Sequence, residues 1–367
     1  MNDNLVTSAL LGFVATLGFL VVLAKGASSL GLLDSPNERK QHIGAVPLVG
    51  GLAIFLTLLL KATLWLSTHQ AVVYPQFVTP AIIFVVCITL LTVSGVLDDR
   101  FNLPVLPRVL SEIFVAGVFT AALGLNITSL GNLLGTGNVQ LPPGVAFPFT
   151  VIAFFGVINA FNMLDGIDGQ VAAVSLLSLV GMTVITGIGP SHLTMVVLGA
   201  TLAFLLSNLG VSQHIPKTFL GDAGSKLLGF IVVLSLVRIS AGRQAPSGLE
   251  PVSALFIIAL PLYDMVYVSV RRMARGRSPF SADRGHLHHL LQQVGLSPRR
   301  ALLAALILHS FIILLGYALN AAQVATATQF GVFLAGFGLY CLMCQQNWWH
   351  LGRRQQGYAQ SRYGTRR

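Results

Sequence analysis

Eleven long apolar runs constrain this chain more than any other feature of its sequence. The hydrocarbon core of a bilayer is about 30 Å thick, and a helix needs around 20 apolar residues to cross it. Only 9% of the residues are charged, whereas a soluble domain carries about 25%. We therefore predict an all-α, polytopic integral membrane protein with about eleven transmembrane helices. The runs cover roughly residues 5–24, 46–66, 78–97, 109–125, 145–163, 171–188, 193–209, 225–240, 252–270, 301–319 and 327–346.

The distribution of basic residues predicts the orientation of the chain. The first basic residue, Lys25, follows the first apolar run, and the residues before that run include Asp3 but no Lys or Arg. A secretory signal peptide begins with basic residues, so the first run is predicted to be a transmembrane helix. With the N-terminus outside, 19 of the 22 Lys and Arg residues fall on cytoplasmic loops or on the C-terminal tail. The positive-inside rule thus predicts an outside N-terminus and a cytoplasmic C-terminus.

No soluble domain or internal repeat is visible in the sequence. We predict one multi-span domain over residues 1–346, with its active site on cytoplasmic loops, and a basic cytoplasmic tail over 347–367 that suits anchoring to anionic lipid. The orientation rule also accounts for the net charge of +10, so nucleic acid is not predicted as a partner. Cys87, Cys341 and Cys344 lie in apolar surroundings and are predicted to be inert thiols, although the C-x-x-C spacing of the last two leaves a redox or zinc role open.

The densest group of polar residues lies between the fifth and sixth apolar runs, at residues 159–169. On a helix, Asn159 and Asn162 share a face. The glycines that follow Asp165 and Asp168 let the backbone leave helical geometry. Carboxylate and amide oxygens around such a turn suit a hard cation or a nucleotide. The alternative is an ordinary polar loop between two buried helices.

Two other loops on the same predicted side carry carboxylates. Asp98 and Asp99 are adjacent and should lie at the membrane edge, because each Asp at a bilayer centre costs about 2.5–3.5 kcal/mol. They fit coordination of Mg²⁺ or a base beside a metal, or else a solvated loop start. Asp222 lies between glycines directly before an apolar run, where it could approach a ligand or cap a helix.

Basic and imidazole groups supply the opposite charge on the same side. Arg284, His286 and His288 fall within five residues, and anion binding is favoured over zinc because no cysteine partner is near. Lys40 and His42 belong to a further basic loop. Oxygen ligands for a cation, together with cations for phosphates, are what phosphoryl transfer requires. The sequence therefore predicts such a reaction at the membrane surface, with one soluble and one lipid phosphate.

Five motifs on these loops carry a resemblance to a known family. In chain order they read DSPNERKQHIGAVPLVGG, GVLDDRFNLPVLPR, NAFNMLDGIDG, FLGDAGS and SPFSADRGHLHH. The chain resembles the polyprenyl-phosphate N-acetylhexosamine-1-phosphate transferases, in particular the undecaprenyl-phosphate N-acetylglucosamine-1-phosphate (WecA) type. The resemblance covers residues 31–300. Its one small departure is Leu287, where relatives have Ile.

The resemblance implies a reaction and a set of site residues. N-acetylhexosamine-1-phosphate, most simply GlcNAc-1-phosphate, would pass from a UDP-sugar to undecaprenyl phosphate and release UMP, with Mg²⁺ or Mn²⁺ held by Asp222 and Asn162. Asp98 and Asp99 would be the catalytic pair that readies the lipid phosphate. The implied substrate-binding residues are Lys40, His42, Arg108, Asn162, Asp165, Asp168, Phe219, Arg284, His286 and His288.

The family also implies a setting and leaves alternatives open. It implies the bacterial cytoplasmic (inner) membrane and the first membrane step of O-antigen or other surface polysaccharide synthesis, with membrane lipids as further partners and a homodimer left open. The longer motifs of the muramyl-pentapeptide branch are absent, which argues against a peptidoglycan precursor. Donors with QuiNAc, FucNAc or GalNAc stay open. A transporter is the competitor from another class, since ionisable residues inside spans mark transport pathways; the candidates are Lys61, Glu112, Arg238 and Asp264.

Overall fold

Helices make up almost all of the structure. The computed structural model describes residues 4–34, 44–67, 72, 74–241, 250–281 and 283–363, and side chains up to residue 345. The helices are α1 (Leu5–Leu30), α2 (Gly50–Ser67), α3 (Val78–Phe101), α4 (Val105–Leu123), α5 (Pro143–Leu164), α6 (Gln170–Thr186), α7 (His192–Asn208), α8 (Gly221–Ala241), α9 (Pro251–Ile257), α10 (Ala259–Met273), α11 (Leu287–Gln293), α12 (Pro298–Ala321) and α13 (Thr326–Tyr363). A 3₁₀ turn at Pro75–Phe77 and the short antiparallel strands β1 (Leu33–Asp34) and β2 (Val46–Pro47) complete the described elements.

The all-α, polytopic prediction is confirmed at the level of helices. Within the described ranges, eight helices are long and apolar enough to cross a membrane: α1–α5, α8, α12 and α13. Two shorter apolar helices, α6 and α7, and the broken pair α9–α10 occupy the other three predicted runs. Each of the eleven runs thus has a helical counterpart, while the number of true spans and the outside N-terminus stay predictions.

The ninth predicted run is not a straight helix. It is divided into α9 and α10, which meet at 80°. Ile258, between them, has non-helical dihedral angles (φ −114°, ψ 14°). Pro261 follows in the first turn of α10, where its missing N–H is tolerated but where its ring would clash with the carbonyl of residue 257 in a continuous helix. The sequence therefore places the break at the start of α10.

Helix α8 is the centre of the bundle. Most of its span is buried, and it is surrounded by α2, α3, α5 and α6. Its first turn lies against glycines: a β-carbon on Gly51 would overlap Gly224, and one on Gly95 would overlap Ala223. Small residues allow helix backbones in a membrane to approach closely. This packing brings the start of α8, with Asp222, against the end of α3.

The strands hold two of the predicted motif loops together. Pro47 O accepts a hydrogen bond from Phe219 N at 2.8 Å, and Phe219 O accepts one from Gly50 N at 2.9 Å. The first and fourth loops are therefore joined through their backbones immediately before α2 and α8 begin. The three cysteines are free, with Cys87 and Cys344 buried and Cys341 half-buried. Helix α13 runs on through residue 346, and the division into domain and tail stays a prediction.

Candidate active site

Residues of three motif loops meet at one end of the bundle. The end of α3 and the start of α4 supply Asp98 and Arg108, the end of α5 supplies Asn162, and the start of α8 supplies Asp222. Arg108 Nη1 lies 3.1 Å from Asp98 Oδ2 and 3.8 Å from Asp222 Oδ2. The sequence separation between these residues reaches more than a hundred positions, so the fold, rather than local spacing, creates this cluster.

A tight turn between α3 and α4 places Asp98 beside Arg108. Asn102 ends α3 in the left-handed conformation (φ 49°) with its N–H bonded to Asp98 O, as is usual for a helix C-terminus. Leu103 N then donates to Asp98 Oδ1 at 3.0 Å, and α4 begins after Pro104. This turn brings Arg108 next to the Asp98 carboxylate. Asp98 is almost completely buried.

Asp99 has a different role from its neighbour. Its carboxylate accepts hydrogen bonds from Asp222 N at 2.8 Å and from Ala223 N at 3.4 Å. It therefore caps the first turn of α8 from another helix, where backbone N–H groups lack intrahelical partners. Gly221, at φ 72°, has no room for a β-carbon beside this carboxylate. The structure thus separates the adjacent acids: Asp98 faces cations, and Asp99 holds the backbone of Asp222.

Asp222 and Asn162 carry the oxygen atoms predicted to hold a cation. The side chain of Asp222 is 33% exposed, and its Oδ2 approaches Arg108 and Lys226 only at 3.8 and 3.9 Å. Asn162 Oδ1 accepts a hydrogen bond from Ser225 Oγ at 2.8 Å, on the turn that follows Asp222. Among the described residues no group of three or more His, Cys, Asp or Glu side chains could hold a metal ion. One carboxylate and one amide oxygen still suit Mg²⁺, which usually keeps waters and phosphate oxygens as its other ligands.

A buried lysine lies at the centre of the acidic groups. Lys226 is 1% exposed, and its Nζ lies 3.3 Å from Glu112 Oε1, 3.5 Å from Asp98 Oδ2 and 3.9 Å from Asp222 Oδ2. Asn159 Nδ2 donates to the other oxygen of Glu112 at 2.5 Å. From the sequence, Lys226 is one of the basic residues that indicate orientation, and Glu112 is a transporter candidate. Their spacing offered a signal, since Lys226 follows Asp222 by four residues and Glu112 follows Arg108 by four, one helical turn in each case.

These groups surround a small cavity. Its volume is about 160 Å³, and its polar lining comprises Arg108, Glu112, Asn159, Asn162, Lys226, Arg272 and Ser281. Pockets for whole drug-sized ligands are about 300–1,000 Å³. The cavity is therefore of a size for a phosphate group, and three of its lining side chains are cations.

Arg272, at the end of α10, is a second residue that the sequence analysis missed. It is 4% exposed. Its Nη1 donates to Pro279 O at 2.5 Å, and its Nη2 lies 3.3 Å from Asp283 Oδ1 and 3.2 Å from His286 Nε2. Its Nε has no partner among the described residues. A buried guanidinium with an unused donor beside a cavity indicates an anion-binding group.

Asp283 fixes the basic end of α10 to the fifth loop. Arg271 Nη2 donates to its Oδ2 at 2.7 Å, and Gly285 N donates to its Oδ1 at 3.0 Å. Burial alone would raise the pKa of Asp283, but the hydrogen bonds from Arg272 and Gly285 and the two arginine charges lower it to about 2. Asp283 is therefore ionised at any physiological pH.

The predicted histidines occupy buried positions. His286 contacts Asp264 and Arg272. His288 lies against Gly166, where a β-carbon would overlap its ring, and neither ring nitrogen has a described partner. Burial, with neighbouring His289, lowers the pKa of His288 to about 3, so it is neutral. Arg284 is exposed. Of these three predicted residues, the structure brings only His286 into contact with the cavity lining.

The predicted residues Asp165, Asp168 and Phe219 lie beside the cluster, near the turn after α5. Lys217 Nζ is 2.6 Å from Asp168 Oδ2, with both side chains about two-fifths exposed, and lies 5.6 Å from the centre of the Phe219 ring. Asp165 is exposed at the end of α5. The predicted departure from helical geometry is confirmed, since α5 ends at Leu164 and α6 begins at Gln170. Lys40 and His42 lie outside the described residues.

Two of the four transporter candidates belong to these networks. Glu112 pairs with Lys226, and Asp264 binds His286. Neither needs a transport pathway to explain why it is buried and charged.

Comparison with known proteins gives the chain its family. Residues 81–240 match glycosyl transferase family 4. The undecaprenyl-phosphate α-N-acetylglucosaminyl 1-phosphate transferase of Escherichia coli (strain K12) is 36% identical over 344 residues, 92% of this chain and 90% of that protein. The protein of the same name from Yersinia pestis is 34% identical over 341 residues, with the same coverage. The one from Haemophilus influenzae is 32% identical over 299 residues, 79% of this chain and 81% of the relative.

The first two of these relatives cover 92% of the chain, which includes all the loops that form the cluster. The resemblance drawn from the five motifs is thereby confirmed. The chain belongs to glycosyl transferase family 4, together with the undecaprenyl-phosphate α-N-acetylglucosaminyl 1-phosphate transferases.

Proposed function

We propose that this protein transfers GlcNAc-1-phosphate from UDP-GlcNAc to undecaprenyl phosphate, giving undecaprenyl-diphosphate-GlcNAc and UMP. The observation that carries the proposal is a phosphate-sized cavity lined by Asn162 and three cations, two of which contact Asp98 and Asp222. The names of the relatives supply the two substrates. Donors with QuiNAc, FucNAc or GalNAc would use the same chemistry and are the alternatives.

The reaction is a displacement at phosphorus. An oxygen of the lipid phosphate attacks the β-phosphorus of the UDP-sugar, a new P–O bond forms, and the bond from that phosphorus to the bridging oxygen breaks to release UMP. Catalysis of such a transfer is mainly positioning and charge neutralisation. Arg108, Lys226 and Arg272 are placed to neutralise the phosphate in the cavity.

Asp98 serves this step by orienting cations rather than by taking a proton. Its Oδ2 already contacts Arg108 and Lys226. A phosphate monoester has a second pKa of about 6, so near neutral pH the lipid phosphate is mostly a dianion and needs little help from a base. Asp99 supports the site differently, through the backbone of Asp222.

Asp222 and Asn162 are proposed to hold a divalent cation, Mg²⁺ or Mn²⁺. Bound there, such an ion would neutralise charge on the diphosphate as a Lewis acid. The Asp222 side chain is 33% exposed, which leaves room for a ligand on its solvent side.

The exposed group beside the cluster is proposed to bind the nucleotide. Phe219 offers a ring for stacking against uracil, while Asp168 and Lys217 offer an acceptor and a cation next to it. Asp165 follows in the same turn. Arg284 is proposed to contact the sugar diphosphate, and His286 to act on it through Arg272, with Lys40 and His42 as further basic contacts. His288 is predicted in the same set; since its ring is neutral and packed on Gly166, it supports the nucleotide turn.

The setting is proposed from the family of the relatives and from the orientation predicted by charge. The enzyme would lie in the bacterial cytoplasmic membrane with eleven spans, its N-terminus outside and its active site facing the cytoplasm. It would start the assembly of O-antigen or another surface polysaccharide. The homodimer stays a prediction.

Purified protein in detergent tests the proposal. UMP release from UDP-GlcNAc should require both undecaprenyl phosphate and Mg²⁺, and a panel with UDP-GalNAc, UDP-QuiNAc and UDP-FucNAc should show the donor preference. The matched control is the Lys61→Ala variant, which changes a charged residue of α2 far along that helix from the cluster. Absence of UMP from every donor, or release that ignores the lipid, would contradict the proposal.

A further inference from the structure

Asp264 is a buried carboxylate that the proposed reaction leaves unexplained. It lies in α10, is 1% exposed, and is paired with the fifth loop and the last helix. Its Oδ2 is 2.7 Å from His286 Nδ1, and its Oδ1 accepts hydrogen bonds from Leu287 N at 2.9 Å and from Tyr340 OH at 2.7 Å. Both oxygens of the Asp264 carboxylate therefore accept hydrogen bonds.

The contacts of His286 determine where its proton lies. Nδ1 must donate, because a carboxylate only accepts. Nε2 must accept, because the atom next to it, at 3.2 Å, is Nη2 of Arg272, which only donates. His286 is therefore the neutral tautomer with its proton on Nδ1, and Asp264 selects that tautomer.

This chain of contacts ends at the cavity. Arg272 is held through Nη2 by His286 and Asp283 and through Nη1 by Pro279 O, and the same guanidinium lines the phosphate-sized cavity. The orientation of the guanidinium therefore depends on an acceptor at His286 Nε2. Nε2 is an acceptor only while the proton stays on Nδ1, where it is donated in a hydrogen bond to Asp264.

We propose that Asp264 is a positioning residue for donor binding, acting through the His286 tautomer to aim Arg272 at the diphosphate of the nucleotide sugar. This inference rests on the proposed function. Partners that orient a histidine ligand through its other nitrogen typically contribute 10–100-fold to affinity or activity at metal sites, and a similar factor is expected here.

The Asp264→Asn variant tests the inference with little change in shape. Its amide oxygen stays with Leu287 N and Tyr340 OH, so its NH₂ group faces His286 Nδ1. The histidine proton must then move to Nε2, where it meets the N–H of Arg272. We expect kcat/KM for the UDP-sugar to fall by about 10–100-fold through a higher KM, with the KM for undecaprenyl phosphate unchanged.

Tyr340→Phe is the matched control. It removes one charge-assisted hydrogen bond from the same carboxylate, which costs stability, but it leaves the His286 tautomer intact. The kcat/KM for the UDP-sugar is therefore expected to stay within about threefold of the wild type. A double-mutant comparison uses His286→Gln, whose side-chain oxygen can accept the hydrogen bond from Arg272 without help from Asp264. In the His286→Gln protein, adding Asp264→Asn should cause little further loss of kcat/KM. The inference would be overturned if Asp264→Asn and Tyr340→Phe lowered kcat/KM equally. It would also be overturned if Asp264→Asn had its full effect on kcat/KM in the His286→Gln protein.

A readout that needs no activity separates this inference from the proposed function. In protein labelled with ¹⁵N-histidine, the His286 signals, identified by their loss in His286→Gln, should show Nδ1 protonated in the wild type and Nε2 protonated in Asp264→Asn. An unchanged tautomer in the variant refutes the positioning role even if UMP is released. If the tautomer shift is present but the wild type releases no UMP, the proposed transfer from the UDP-sugar is refuted. The role of Arg272 in binding the diphosphate is then refuted as well.

Discussion

Replacing Lys226 by Met leaves its carboxylate partners without their shared cation, and the structure allows the cost to be calculated. Lys226 Nζ lies 3.3 Å from Glu112 Oε1, and both side chains are at most 2% exposed. With an effective dielectric constant of about 20, a pair at this distance interacts by roughly 5 kcal/mol. Asn159 still donates to Glu112 and Arg108 still pairs with Asp98, so part of the loss is offset. We expect a destabilisation of about 3–5 kcal/mol, the range found when one partner of a buried pair is removed.

Thermal unfolding in detergent measures this effect, and Glu112→Gln supplies the control. Gln keeps an oxygen that accepts from Asn159 Nδ2 while removing the charge, so the double variant Lys226→Met/Glu112→Gln should recover most of the stability lost in Lys226→Met. It should not recover UMP release, because the cavity has still lost a cation. A drop of about 5–10 °C in Tm for Lys226→Met is expected. Purely additive losses in the two single variants would refute the pairing as the source of the stability.

Three further predictions follow from the same contacts. Asp222→Asn should reduce UMP release by more than about 100-fold and weaken activation by Mg²⁺, measured by titrating the metal; an unchanged Mg²⁺ titration would exclude Asp222 as a ligand. Gly221→Ala should lower the free energy of unfolding by about 1–3 kcal/mol, because residue 221 has a positive φ and its β-carbon would meet Asp99. The control is Gly210→Ala, which also has a positive φ but no neighbouring atom in the way, so it should show only the cost of the backbone conformation. The pKa of His288 is about 3 in the folded chain and 6.5 when unfolded, so the unfolded state binds the extra proton. The free energy of unfolding that depends on neutral His288 is therefore fully present above pH 6.5 and falls by about 1.4 kcal/mol per pH unit as the pH decreases towards 3. His288→Gln should make the free energy of unfolding, measured from pH 7 to 4, depend less steeply on pH.

The sequence predicted the members of the cluster that belong to contiguous motifs. Asp98, Asp222 and Asn162 stand at the ends of apolar runs on one predicted face of the membrane, and loops on one face can meet. Periodicity does not report how far each helix is rotated about its axis. The pairing of Lys226 with Glu112 depends on that rotation in α8 and α4. It became visible only with the packed structure.

Arg272 and the break between α9 and α10 escaped prediction for related reasons. A basic residue at the end of an apolar run is a marker of orientation, and nothing local distinguishes the buried Arg272 from the exposed Arg275 beyond it. Pro261 is a signal for a break, but the 19 apolar residues of run 252–270 are long enough to predict a single span. The 80° bend matters for function because it directs the end of α10, with Arg272, towards the cavity.

The adjacent acids of α3 show why a motif does not by itself assign roles. Successive residues on an α-helix point about 100° apart, so Asp98 and Asp99 face different neighbours. Asp98 points towards α4 and meets Arg108, and Asp99 points towards α8 and meets backbone N–H groups. The geometry therefore favours Asp98 as the member that acts beside the lipid phosphate and Asp99 as the member that fixes Asp222.

The charge balance of the cavity explains why two anionic substrates would need a further cation. The three cations that line the cavity, Arg108, Lys226 and Arg272, pair with four carboxylates, Asp98, Glu112, Asp222 and Asp283, so the protein's own charges leave no net positive charge there. A lipid phosphate alone would add about −1.5 to −2 units of charge near pH 7, and the diphosphate of a nucleotide sugar adds more. Buried charge of one sign is strongly unfavourable. A divalent cation on Asp222 and Asn162 offsets this excess, which gives a physical reason for a metal requirement in a site whose side chains already include three cations.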